Sequence, residues 1–238
     1  MAETTSGSGG QMNLSEISTR WSCIGDPSIF ALRYSRAIQA YLEALIRNKA
    51  DAADLAQDFF LQFVQRGLPR AAESRGRFRD YLKVAVRNAA LTHLRKRRDV
   101  NLSVESLPLI SREHEDEADR RWREECRQQV VDRVLRLLDL YERENPGNYA
   151  HTVLRVSIEH EAEDSERQAE LVSKRIGKQM NAVAFRKQRS RARDMFAKLV
   201  VNEIRVTIDT DSNDRLEEEL ADLDLLRYVK QRLDDGPE

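Results

Sequence analysis

The residues best suited to do chemistry in this chain are cations. Between Arg66 and Arg98 stand Arg66, Arg70, Arg75, Arg77, Arg79, Lys83, Arg87, Arg95, Lys96, Arg97 and Arg98, opposed only by Glu73 and Asp80. Guanidinium and ammonium groups at this density attract phosphate. Phe78 and Tyr81 among them give the segment the makeup of a nucleic-acid surface. Just upstream, Asp54, Gln57 and Asp58 stand at i, i+3 and i+4, so one helix face would offer all three to a basic partner. No Lys or Arg occurs in residues 51–65.

Two helices must position these groups. Ala52, Leu55, Phe59, Phe60 and Phe63 recur at helical spacing and predict a helix over about Asp51–Gln65. Phe78, Leu82, Ala85, Val86 and Ala89 predict a second over about Phe78–Arg97. Between them, residues 67–76 hold a Pro and two Gly, which break the helical pattern. A preceding helix, about Ile29–Arg47, would turn Ile29, Leu32, Ala37, Ile38, Tyr41, Leu42, Leu45 and Ile46 inward, with Trp21 and Ile24 docking on the same bundle.

A second basic cluster lies downstream. Residues 165–201 read as a helix (Ser165–Ile176), a turn (Gly177-Lys178-Gln179) and a second helix (about Met180–Val201). Such a turn needs a small residue where the helices cross, a Gly able to take a positive φ, and an apolar residue inside the second helix. Ser173, Gly177 and Val183 stand at those places. The second helix carries Arg186, Lys187, Arg189, Arg191, Arg193 and Lys198, with Phe185, Met195, Phe196 and Leu199 as its expected core. A buried stripe with a basic edge is what a recognition helix requires. Lys178 departs from the pattern, standing where an apolar residue is more usual.

The first block resembles region 2 of the extracytoplasmic-function (ECF) sigma factors of the sigma-70 family. The resemblance rests on D-A-A-D-L-A-Q-D-F-F at Asp51–Phe60, G-R-F-R-D-Y-L at Gly76–Leu82, V-R-N at Val86–Asn88 and H-L-R-K-R-R at His93–Arg98. The downstream helix pair is similar to region 4 of the same family. The resemblance implies a bacterial sigma factor that binds core RNA polymerase, recognises the -35 and -10 promoter elements and promotes transcription initiation. It implies that Asp54, Gln57 and Asp58 meet the clamp helices of the largest polymerase subunit. It implies that Arg75, Arg77, Arg79, Asn88 and Arg95 hold the -10 strand, whose unstacked bases need a pocket with cations nearby. Asn181, Arg186, Lys187 and Arg189 would face the -35 major groove. Core polymerase and promoter DNA are the expected partners; an anti-sigma factor is a further conceivable one that no motif writes into the sequence.

Composition agrees with this and narrows the rivals. Few Gly and Pro, with abundant Leu, Ala, Arg and Glu, favour an all-α protein. The net charge of -1 conceals basic blocks near 66–98 and 174–198 and acidic ones near 113–125, 159–170 and 209–238. The expected architecture is a leader without structure (1–19), a helical domain (20–98), an irregular linker (99–119), a helix-turn-helix domain (120–205) and an acidic tail (206–238). Within the second domain, helices are expected over Trp122–Glu144 and Tyr149–His160. Residues 202–210 would form a short extended bridge, and 214–233 a single amphipathic helix. That helix would cap the second domain; a sharper expectation is that it shields the basic recognition helix when polymerase is absent.

Cys23 and Cys126 have neither disulfide-framework nor metal-site spacing, so two reduced thiols in a cytoplasmic protein are expected. No apolar run approaches membrane-spanning length. The sequence holds no phosphate-cradling Gly loop, metal-ligand spacing or nucleophile elbow, so no enzyme, cofactor, metal or small-molecule substrate is expected. Two alternatives stand beside the sigma reading. A helical DNA- or RNA-binding adaptor would act without polymerase and tolerate mutation of the Asp54/Gln57/Asp58 face. A helix-turn-helix regulator would need stable dimers, for which no heptad pattern is visible.

Overall fold

The computed structural model describes residues 27–46, 48–66, 77–100, 110–208 and 212–234. Every regular element among them is an α-helix: α1 (Pro27–Leu45), α2 (Lys49–Arg66), α3 (Phe78–Val100), α4 (Arg112–Glu144), α5 (Ala150–Glu159), α6 (Ser165–Ile176), α7 (Ala182–Arg205), α8 (Asn213–Asp222) and α9 (Leu226–Asp234). The all-α expectation holds for the described residues. The leader, Trp21, Ile24, Cys23 and the loop 67–76 lie outside them.

The chain divides into two compact units, Val134–Leu199 and a discontinuous one made of Thr19–Arg133 with Val200–Glu238. In the discontinuous unit, α1, α2 and α3 meet through aromatic rings. Phe30 is fully buried and stacks on Phe63 with centroids 3.7 Å apart. Phe60 and Phe78 approach Phe30 edge-on at 5.5 and 6.3 Å. Burying one such ring is worth about 1.5–3 kcal/mol before the pair geometry adds to it. The buried stripe of α1 runs through Phe30, Tyr34, Ala37, Ile38, Tyr41, Leu42 and Leu45. Leu32, expected inside, is 59% exposed. It stands two residues from Phe30 and from Tyr34, about 200° round the helix from each, so it falls on the opposite side.

The linker expectation needs correction from Arg112 on; its residues 101–109 lie outside the described residues. Helix α4 starts at Arg112, and its first two-thirds, to Arg133, belong to this unit rather than to an irregular connection. Trp122 packs edge-on against Tyr41 at 5.7 Å. Lys83 of α3 reaches Asp119 at 3.2 Å, and Arg87 pairs with Glu115. The acidic stretch that looked like a solvated linker is the α4 face turned to the basic helix α3.

The chain returns to this unit at its C-terminal end. Residues 202–205 continue α7 instead of forming an extended bridge. The alternation of Ile204, Val206 and Ile208 suggests a strand, and all three are buried. Burial is achieved here by a helix end followed by a turn, so packing overrides β propensity. The single tail helix is two helices. Asp224, in the left-handed region at φ 55°, separates α8 from α9 and lets Leu223 and Leu225 both bury. Leu216, Leu220 and Val229 complete the buried side.

In the unit Val134–Leu199, Val134, Leu138, Val153, Leu154, Val156, Ala169, Val172, Phe185, Ala192, Ala197 and Leu199 are buried. Gly147, at φ 96°, lies in the turn that follows α4. Glu142 then accepts the backbone N–H of Thr152 at 2.9 Å and its hydroxyl at 2.5 Å, satisfying a free donor at the start of α5.

Candidate nucleic-acid interface

The α6–α7 pair is built by local chemistry. Asp164 caps α6, accepting the backbone N–H groups of Glu166 and Arg167 at 3.0 and 2.8 Å. Gly177 ends the helix in the left-handed region at φ 67°. The Ser173 hydroxyl donates to Ala169 O at 2.7 Å and accepts the Met180 N–H at 2.9 Å, tying the turn to the helix before it. Asn181 caps α7, accepting the Ala184 N–H at 2.8 Å. Ser173 and Gly177 thus do what their positions predict. Val183 does not: it is 66% exposed, and Phe185, fully buried, fills the interior.

Of the four residues expected at a major groove, Asn181, Arg186 and Lys187 are exposed. Arg189 is half-buried, its guanidinium 5.5 Å above the Phe185 ring. Partial burial, with Arg193 and Arg186 nearby, lowers the Arg189 pKa. Cations crowded like this gain from a bound anion, which relieves their repulsion.

In the discontinuous unit, Asp54, Gln57 and Asp58 are all exposed on one face of α2. Leu61 and Val64, 49% and 54% exposed, extend that face by one to two turns. Sequence reasoning did not single them out, although both fall outside the Ala52/Ala56/Phe63 stripe. The face therefore joins carboxylates to apolar side chains, a surface for a protein partner rather than for nucleic acid.

The residues expected at a -10 strand are not brought together. Arg75 lies outside the described residues. Asn88 and Arg95 are exposed on α3. Arg77 is half-buried and pairs with Asp80 at 2.8 Å and with Glu219 at 3.2 Å. Arg79 is 3% exposed, with Nε 2.7 Å from Glu219 and a further bond from Nη2 to Asp222. Burial alone would lower the Arg79 pKa; the hydrogen bonds and charges of Glu219 and Asp222 outweigh it and hold the group above its ordinary value. Burial likewise opposes ionisation of Asp222, but Arg79, Arg77 and Arg123 keep its carboxyl below the usual range. The α8 carboxylates Glu219 and Asp222 therefore engage the start of α3, where the expectation was a cap on the second domain or, more sharply, a shield over the recognition helix. Arg79 faces the interior because it shares a 3–4–4 stripe with Leu82, Val86 and Ala90. That spacing was the available signal.

Cys126 is a free, buried thiol whose pKa burial pushes up to about 12, so it is not a nucleophile near neutral pH. Among the described residues no group of His, Cys, Asp and Glu is arranged to hold a metal ion, and no helix is long and apolar enough to cross a membrane.

Residues 30–100 match the family model described as Sigma-70 region 2. These residues span α1, α2 and α3, so the aromatic bundle and the exposed carboxylate face both lie inside the matched segment. The match covers under a third of the chain and supports, for that segment, the role of the family: promoter recognition and RNA polymerase binding, without enzymatic activity. No curated protein and no solved structure matches the chain.

Proposed function

We propose that the protein is an ECF-type sigma factor, in which α2 binds core RNA polymerase and the α6–α7 pair reads the -35 element. The observation that carries the polymerase contact is the exposed Asp54/Gln57/Asp58 face inside the segment that matches region 2. The motif order at 51–60, 76–82 and 86–98 supports the ECF assignment. The capped α6, the left-handed Gly177 and the crowded cations of α7 support a region 4-like role, with Asn181, Arg186, Lys187 and Arg189 toward the DNA. Asn88 and Arg95 are the exposed -10 candidates, and Arg77 is within reach of solvent. Such a protein works where polymerase and chromosome are, in the bacterial cytoplasm.

The test is capture of purified bacterial core RNA polymerase by the full chain and by its Asp54→Arg/Asp58→Arg variant. Binding by the first and not by the second is expected. Equal binding by both would remove α2 from the interface. No binding by either would favour a helix-turn-helix regulator or adaptor that acts without polymerase.

A further inference from the structure

The α8 carboxylates are placed where a sigma factor's region 2 would need free cations. Arg77 and Arg79 open α3, and Glu219 and Asp222 come to them from about 140 residues further along the chain. The cluster has two layers. Arg79 and Glu219 form an inner pair with side chains 4% and 3% exposed. Arg77 and Asp222 form an outer layer, 27% and 36% exposed and 3.7 Å apart; Asp222 also bonds Arg79, and Arg77 also reaches Glu219 at 3.2 Å. With Asp80 on Arg77 and Arg123 acting on Asp222, three carboxylates face three guanidinium groups. The start of α3 thus presents no net positive charge, although the sequence there is strongly basic. Further along the same helix, Asp119 and Glu115 of α4 engage Lys83 and Arg87 in the same way.

We propose that α8 is a built-in competitor for nucleic acid at the start of α3, with the Asp222 carboxylate standing where a backbone phosphate would otherwise meet Arg77. The inner pair holds α8 in place, because separating buried partners is costly. The outer pair is open to solvent and exchanges, because partly exposed ion pairs are weak and phosphate is a strong guanidinium ligand. The free chain therefore holds single strands poorly. A strand delivered at high local concentration, as in an opened promoter complex, takes Arg77 from Asp222. This inference rests on the proposed contact of α3 with a DNA strand.

The test measures binding of a labelled, mixed-sequence single-stranded oligonucleotide to the full chain, to Asp222→Asn and to Glu217→Gln. Asp222→Asn takes one of two carboxylate charges from Arg79 but leaves Glu219 on it, so the buried pair survives. Glu217→Gln removes one carboxylate from the exposed far side of α8. Asp222→Asn is expected to bind about fivefold tighter than the unaltered chain, and Glu217→Gln to stay within about twofold of it. Equal affinities for the two folded variants would overturn the competition while leaving the DNA-binding reading intact. Failure of all three proteins to bind, even with core polymerase added, would overturn that reading and the competition with it.

Discussion

Glu203 of α7 accepts an ion pair from Arg33 of α1 across 170 residues of sequence, at 2.9 Å, with side chains 6% and 5% exposed. Arg133 of α4 reaches the same oxygen at 2.6 Å. One carboxylate thus joins three helices drawn from the beginning, middle and end of the chain. Replacing it with Ala removes the carboxylate shared by Arg133 and the buried Arg33. Glu203→Ala is expected to destabilise the unit by about 3–5 kcal/mol. Arg36→Ala, which removes pairs of a half-exposed arginine, should cost at most about 1 kcal/mol. Urea unfolding followed by tryptophan fluorescence compares the two, since Trp122 is buried against Tyr41.

Gly177 sits at φ 67°, and a β-carbon there would meet nothing within 4 Å. A substitution is therefore opposed by backbone conformation and not by crowding. Gly177→Ala should cost about 1–2 kcal/mol, and Gly177→Asn less, since Asn tolerates the left-handed region. Thermal denaturation of the three proteins gives the order Gly, Asn, Ala; an Ala variant as stable as the parent would contradict it.

Asp222 sets a direction for pH dependence. Its pKa is lower in the folded chain than the unfolded value of about 3.9. The stabilisation it contributes is complete above that value and is lost as pH falls through the lower, folded one. Acid titration of Asp222→Asn should show a shallower loss of stability below about pH 4 than the parent chain, and parallel behaviour near neutrality. Identical acid limbs would remove Asp222 from the account.

The exposed cations of α7 predict a salt signature. If Arg186 neutralises one DNA phosphate, Arg186→Ala should lower the slope of log affinity against log salt by about 0.9. If it reads a base edge instead, the slope should hold while discrimination between promoter sequences falls. Titrations at several salt concentrations, on matched and mismatched duplexes, separate the two roles.

The parts of the fold that were legible in the sequence are those made by neighbours in the chain. Asp164, Ser173 and Gly177 act within a few residues of themselves, so the α6 boundaries and the turn can be read directly. The stripe of α3 was legible for the same reason. What escaped was pairing at long range. Glu203 stands in the expected extended bridge and Glu219 in the expected acidic tail, and nothing local marks Arg33 or Arg79 as their partners. Arg79 was counted among surface cations on its charge, although its register with Leu82 and Val86 places it inside. The acidic start of α4 reads as a linker in the sequence because its partners, Lys83 and Arg87, stand on another helix.

The unit that carries the region 2 match is closed by Val200–Glu238, which is made after the intervening unit. A ribosome releases the N-terminal part first, so α1, α2 and α3 emerge without the helices that cover their remaining apolar surface. The intervening unit, Val134–Leu199, is contiguous and can close earlier. The unit that starts first is thus the one completed last. Loss of Val200–Glu238 would therefore uncover the module that begins with α1, although the two are far apart in sequence.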